Sequence, residues 1–250
     1  MIRSEKLNLL RSGVNKIVRE VINPESLSES LQIEKKSDRS IVTRVDKEIS
    51  KLIEIELEHL VKNEGFHFFS EENMVSFGFP SIILDPIDGT RELAKGLGEC
   101  VVSLAVMTSS NEGFSWIYNP FTGFEISSKD AFCEPVSFNE DRLFGLVSRT
   151  DYSKGIFSDL SLDSSIVVEP RGSIAFKLAL LASGACDFVY SKTPKSVWDI
   201  AAGTLLCWDR KIKLFQSGAE VKRLDSVKID GELIWCREKD LARLQSSLLK

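Results

Sequence analysis

The run Ile82-Ile83-Leu84 leads directly into Asp85-Pro86-Ile87-Asp88-Gly89-Thr90. An apolar β-type run that breaks into two carboxylates three positions apart limits what the chain can build. An ionised carboxylate held away from water is costly unless it is paired or metal-bound. The Asp-Pro dipeptide predicts a turn, Gly89 supplies permissive backbone, and Thr90 is placed to cap the next helix. Acidic side chains and free backbone N–H groups would then converge on one small anionic ligand with its metal ions.

The surrounding pattern predicts stacked layers. Leu7, Leu10, Val14, Ile17, Val18 and Val21 recur at steps of three and four, which predicts an amphipathic helix over 5–22 stopped by Asn23-Pro24. Ile49, Leu52, Ile53, Leu57 and Leu60 predict a second helix over 46–62. Strands are expected at 66–69, 81–84 and 101–107, followed by a hairpin of 114–118 with 124–127 around Asn119-Pro120-Phe121-Thr122-Gly123. Beyond about residue 140 the order alternates: strands at 143–147, 165–168, 187–190 and 212–215, and helices at 174–182, 199–208 and 238–249. Gly184 closes the first of these helices, and Asp230-Gly231 marks a turn. Helices, then sheet, then alternating α/β suggest a layered sandwich of two closely packed subdomains, 1–140 and 141–250, acting as one catalytic unit.

A chain of 250 residues, 43% hydrophobic and 28% charged, can bury a full core, and its net charge of −5 argues against binding nucleic-acid polymers or anionic membranes. No run approaches the roughly 20 apolar residues of a membrane span. Cys100, Cys133, Cys186, Cys207 and Cys236 are scattered without a Cys-x-x-Cys pair, which favours reduced thiols packed as small hydrophobes over zinc or disulfides. These features point to a soluble, cytoplasmic protein. His59 is expected to be solvated and His67 packed within its strand.

Four segments present carboxylates where strands or turns end: Thr43-Arg44-Val45-Asp46, Ser70-Glu71-Glu72-Asn73, Asp85 to Thr90, and Val197-Trp198-Asp199-Ile200-Ala201-Ala202-Gly203. Taken singly, Asp46 and Asp199 read equally as helix N-caps and Glu71-Glu72 as a solvated loop. Together they read as oxygen ligation without histidine, which suits Mg²⁺ or Mn²⁺. Two such ions can clamp a phosphate and generate hydroxide near neutral pH. The N–H groups of Gly89 and Thr90 add an anion seat.

In this order these elements resemble the inositol monophosphatase superfamily of Mg²⁺-dependent, often lithium-sensitive phosphomonoesterases. The superfamily also holds 3′(2′),5′-bisphosphate nucleotidases and fructose-1,6-bisphosphatases. The resemblance implies the αβαβα sugar-phosphatase fold, two to three Mg²⁺ ions per site (Mn²⁺ as a substitute) and a homodimer. It further implies one ion on Glu71, Asp85 and the Ile87 carbonyl, and a second on Asp85, Asp88 and Asp199. Thr90, backed by Asp46, would orient the attacking water, a third ion would lean on Glu71, and Gly89 and Thr90 would bind the phosphate. Glu72 is implied to stand behind the ligands.

For the substrate, Arg91 to Gly96 and Thr193-Pro194-Lys195-Ser196 look more like the bisphosphate-nucleotidase branch. Lys192 and Lys195 could receive a second phosphate, or belong to a solvated loop; Ser173 could touch substrate, or simply cap its helix. The segment between Glu72 and Asp85 is shorter than in inositol monophosphatases. Asp209-Arg210-Lys211 replaces a glycine-rich turn, and Leu93 stands where many relatives carry an aromatic. The partner is therefore expected to be a small phosphorylated metabolite, hydrolysed by metal-activated water. The alternatives are an inactive phosphometabolite-binding regulator and a two-metal nuclease, the latter lacking a basic groove and aromatic platform.

Overall fold

A computed structural model describes residues 2–35, 41–73, 76–132, 141–158 and 165–248. Cys133 and Leu249 lie outside the described residues. The chain opens with α1 (Ser4–Val21) and α2 (Leu27–Leu31), the small ladder of β1 (Glu34–Lys35) with β2 (Ile41–Val42), then α3 (Arg44–Glu56) and α4 (Glu58–Glu64). Next come β3 (His67–Ser70), β4 (Ser81–Asp88), the short α5 (Thr90–Ala94), β5 (Val101–Ser109), β6 (Glu112–Tyr118) and β7 (Glu125–Ser127). The rest alternates: β8 (Leu143–Ser148), α6 (Arg149–Ser153), β9 (Ile166–Arg171), α7 (Ile174–Ala182), β10 (Phe188–Ser191), β11 (Lys195–Ser196) and α8 (Val197–Asp209). It closes with β12 (Lys213–Gln216), β13 (Ala219–Val221), β14 (Lys228–Ile229), β15 (Leu233–Cys236) and α9 (Glu238–Leu248).

Two sheets organise these elements. One has the order β3-β4-β5-β6-β7, the other β13-β12-β15-β10-β8-β9. Alternation along each strand sends residues to opposite faces, and the core divides accordingly. Ile82 and Leu84 of β4 join Leu10, Val14, Ile49 and Ile53 beneath α1 and α3. Ile83 points the other way, into a middle layer with Leu178, Ala201 and Leu205 of α7 and α8 and with Leu146, Val189 and Trp235 of the second sheet. The far face of that sheet buries Val147, Phe188 and Ile234 against Leu244 and Leu248 of α9. Five layers result, in the order αβαβα.

Close packing in the middle layer sets the geometry of the site. A Cβ on Gly203 of α8 would lie 2.4 Å from Cβ of Leu178 on α7, so these helices cross nearly backbone to backbone. Their N-terminal ends are thereby brought to one place beside the end of β4.

Several expectations need correction. The helix expected over 46–62 is two helices, broken at Leu57 (φ −107°, ψ 8°). The strand expected to stop at Leu84 continues to Asp88, so Asp85-Pro86 is not the turn. The register moves from Asp85 opposite Ser103 to Asp88 opposite Val101, a bulge in β4. A bulge accommodates Pro86, which has no N–H to give the ladder. The chain reverses only at Gly89, whose φ of +100° and approach to Glu99 O (2.8 Å from a built Cβ) require glycine. Thr90 does not cap α5, since Gly89 holds the N-cap position. His67 is exposed at the first position of β3, while His59 is exposed as expected. Cys100, Cys186, Cys207 and Cys236 are free and buried. No helix among the described residues is long and apolar enough to cross a membrane.

Candidate metal and phosphate site

The N-termini of α7 and α8 and the end of β4 meet around a cavity of about 350 Å³. Asp85, Asp88 and Asp199 each place one carboxylate oxygen in a group lying within 4.8 Å of one another. Each acid also has an oxygen tied to the protein. Asp85 Oδ1 accepts from Ile87 N at 3.0 Å. Asp88 Oδ2 accepts from Ser173 Oγ at 2.7 Å and from Ala175 N at 2.5 Å. Asp199 Oδ2 accepts from Ser196 N at 3.1 Å, closing a capping box at the start of α8. These bonds fix the side chains and set their carboxylates toward one another.

Such a cluster is electrostatically unfavourable by itself. Burial, then the charges of Glu71, Asp88 and Asp199, hold Asp85 well above its ordinary value of 3.8. Asp88 is raised by burial against the bonds from Ser173 and Ala175 and the charges of Lys177 and Lys195. Asp199 is pushed up to about 8 by burial and by Asp88, against the pull of Lys195. Oxygen donors alone, mutually repelling and open to the cavity at Asp88 and Asp199, fit a hard divalent cation such as Mg²⁺ or Mn²⁺ better than any neutral ligand.

Glu71 follows β3, its N–H donating to Leu84 O at 3.1 Å, and it lines the same cavity beside the three aspartates. Its charge raises both Asp85 and Asp199. Glu72 is not among the residues lining the cavity, and its charge raises the carboxyl of Asp46.

Asp46 stands behind the cavity with both oxygens committed. Oδ2 accepts from Thr43 N at 2.9 Å and from the Thr43 hydroxyl, while Oδ1 accepts from Thr90 Oγ1 at 3.1 Å. It is the third residue of α3, not its N-cap, and Thr43 fills that position. Burial pushes Asp46 up to about 6 against the hydrogen bonds from Thr43. The Thr90 hydroxyl also reaches the Ile87 carbonyl at 2.9 Å. Gly89, Thr90 and Ile87 line the cavity.

Of the expected substrate residues, Ser173 and Lys195 line the cavity and Lys192 does not. Lys192 is half-buried outside it. Lys195 donates to Thr193 Oγ1 at 2.7 Å, and burial lowers its ammonium. Ser173 combines the two readings open to it. It caps α7, accepting from Phe176 N at 2.9 Å, and it bonds Asp88.

Sequence reasoning missed Arg149, Arg171 and Lys177, which line the cavity, and Glu99 behind them. Arg149 grips Glu99 at 2.7 and 2.8 Å, Arg171 reaches it at 3.1 Å, and Gly172 N donates to it at 2.7 Å. Burial works to raise Glu99, but these bonds bring it below its usual range. Lys177 left a trace in the sequence as the lone charge in the apolar helix Ile174–Ala182. It is 3% exposed, and burial lowers its ammonium to about 8.

An αβαβα sandwich with an acidic cavity between its sheets and helices is the architecture of the sugar phosphatases. Residues 5–208 match the model of the Inositol monophosphatase family, and the chain belongs to that family. Membership supports a phosphatase, a phosphoric monoester hydrolase. An inositol-1-monophosphatase of Mesorhizobium japonicum is 26% identical over 224 residues, covering 82% of this chain and 83% of the relative. The Nus factor SuhB of Vibrio cholerae is 25% identical over 200 residues, covering 72% and 73%. Among solved structures, the Thermotoga maritima IMPase superposes with a TM-score of 0.72 at 21% identity, covering 97% of this chain and 94% of that one. The suhB protein of Bartonella henselae gives 0.74 at 21%, covering 99% of each.

Proposed function

We propose that this phosphatase is a Mg²⁺-dependent enzyme that hydrolyses a small phosphate monoester at the Asp85–Asp88–Asp199 centre. The observation that carries the reading is the approach of three carboxylate oxygens, from the buried Asp85 and the half-buried Asp88 and Asp199, to within 4.8 Å. Asp85, Asp88, Asp199, Glu71 and the Ile87 carbonyl are the proposed holders of two ions, and a third would lean on Glu71. Bound divalent ions would neutralise phosphate oxygens and lower the pKa of a coordinated water.

The remaining work falls to the chain's own groups. The Thr90 hydroxyl proton is engaged by Asp46 and the Ile87 carbonyl. Its oxygen is thus left to accept a hydrogen bond and so orient a water, with Glu71 placed to take that water's proton. Backbone N–H groups of Gly89 and Thr90 seat the phosphate oxygens. Ser173 keeps Asp88 in place, and Lys195 offers a positive charge to the substrate. Catalysis is then positional and electrostatic, without a covalent phosphoenzyme.

For substrate, a sugar or inositol phosphate, or an adenosine 3′,5′-bisphosphate-type ester, suits the cavity. Arg149, Arg171 and Lys195 on its lining favour an ester carrying further negative charge. The same reading takes the protein as a cytoplasmic, lithium-sensitive homodimer. Release of phosphate from adenosine 3′,5′-bisphosphate, inositol 1-phosphate and fructose 1,6-bisphosphate, assayed side by side with Mg²⁺, tests it. Release from none of these or from a wider ester panel would overturn it. Tight binding of an ester without release would instead favour a phosphometabolite-binding regulator.

A further inference from the structure

Among the described residues lining the cavity, Lys177 is the one fully buried cation, and its Nζ stands within 3.5 Å of three consecutive backbone carbonyls. Nζ lies 3.1 Å from Arg171 O, 3.5 Å from Gly172 O and 2.9 Å from Ser173 O. An ammonium has three donors and no acceptor, so this cage matches it fully. Burying a charge is costly without such partners, which makes a role limited to filling space in an apolar helix a poor explanation.

The caged segment is also the one that holds Asp88. Ser173 has φ of +52°, a left-handed conformation that a residue with a side chain adopts only when its surroundings enforce it. In that conformation the Ser173 hydroxyl donates to Asp88 Oδ2, and Ala175 N donates to the same oxygen. The segment is pinned on its other side by Glu99, through Gly172 N and Arg171. A Cβ on Gly172 would lie 2.4 Å from Glu92 Cγ, so the segment has no room to move toward α5. Release of the Lys177 bonds would free the carbonyls that set Ser173, and with it the rotamer of Asp88.

We propose that Lys177 is a positioning residue, a fixed internal cation that clamps Arg171–Ser173 and thereby holds Asp88 with one oxygen facing Asp85 and Asp199. This inference rests on the reading of Asp88 as a metal ligand. It carries a chemical consequence. A cage of three carbonyls that fits an ammonium group should accept a free monovalent cation of similar size once the lysine side chain is cut back.

The test is Mn²⁺ binding followed by electron paramagnetic resonance, with circular dichroism to check folding and steady-state kinetics alongside. Lys177→Met keeps the bulk and removes charge and donors. It is expected to bind Mn²⁺ about 10- to 100-fold more weakly, as for loss of groups that orient metal ligands. Its kcat should fall while KM for the ester changes little. Lys177→Ala should recover part of its Mn²⁺ affinity when ammonium or potassium replaces the bulky tetramethylammonium, and the wild type should not respond to the exchange. Unchanged Mn²⁺ affinity in Lys177→Met would overturn the proposal, and so would a loss in Lys177→Ala that small cations fail to restore. Should both lysine variants fail to fold, Ser173→Ala decides. It cuts the link to Asp88 with Lys177 in place, and unchanged Mn²⁺ affinity there overturns the proposal equally. Asp199→Asn, run in parallel, separates the two levels. If it binds Mn²⁺ like the wild type, the metal-centre reading has failed. If it loses the ion while Lys177→Met keeps it, only the role of Lys177 has failed.

Discussion

The starts of α3 and α8 are the same local device put to different ends. Both helices span 13 residues and open with a capping box: Thr43 with Asp46, and Ser196 with Asp199. In each, the third helical residue is an aspartate turned toward the cavity end of β4. Asp46 spends both oxygens on protein donors, Thr43 on one side and Thr90 on the other. Asp199 spends one oxygen on Ser196 N and has a carboxylate oxygen in the tight group with Asp85 and Asp88. A capping motif therefore does not tell by itself whether its acid positions or ligates. The difference lies in what the rest of the fold brings to the remaining oxygen.

The largest expected effect separates the two acids directly. Asp199→Asn should lower kcat by about 1,000-fold or more and abolish Mg²⁺ binding, since a neutral amide replaces a charged donor. Asp46→Asn should keep the metal and lower kcat by about 10- to 100-fold, through misplacement of Thr90. Calorimetric Mg²⁺ titration with steady-state kinetics on both variants checks this. Equal loss of metal by the two would erase the distinction.

Metal removal should show the same contrast in stability. Asp199, at about 8 when folded against an ordinary 3.8, holds its proton in the native state over a range where the unfolded chain has lost it. The native state then binds more protons, so stability of the metal-free protein falls as pH rises from about 4 to about 8. Asp46, at about 6, contributes the same sign over a narrower window ending near 6. Thermal unfolding in chelator should therefore give a lower Tm at pH 8 than at pH 5, and added Mg²⁺ should raise Tm more at pH 8. Metal-free Asp199→Asn should weaken the decline above pH 6, which Asp85 and Asp88 share, whereas Asp46→Asn should not.

The smallest effects concern the caps. Thr43→Ala and Ser196→Ala should each cost about 1 kcal/mol in urea unfolding. Thr43→Ala should cost more of the two, because the Thr43 hydroxyl also donates to Asp46.

Much of this arrangement was legible in the sequence. Asp85 and Asp88 stand out because an apolar run delivers them to the edge of a core, Asp199 reads singly as a helix cap and joins them only in combination, and the helix Ile174–Ala182 reads cleanly between its Ser173 cap and Gly184. What escaped was set by distant contacts. Pro86 reads as a turn locally, yet pairing with β5 absorbs it in a bulge. His67 shares a strand face with the buried Phe69, and it is exposed because it opens β3, a strand end that nothing local marks. The grip of Arg149 and Arg171 on Glu99 joins residues 50 and 72 positions apart, with no periodicity to announce it. Lys192 and Lys195 look equivalent in the chain, and only the turn into α8 sets one in the cavity and the other outside.

The most direct measurement is a crystal soaked in Mn²⁺ with data collected for anomalous scattering. An anomalous peak bonded to oxygens of Asp85, Asp88 and Asp199, with Asp46 still on Thr90 and bearing no ion, is the expected result. Density on Asp46, or an empty centre among the three aspartates in crystals that bind Mn²⁺ elsewhere, would contradict the assignment.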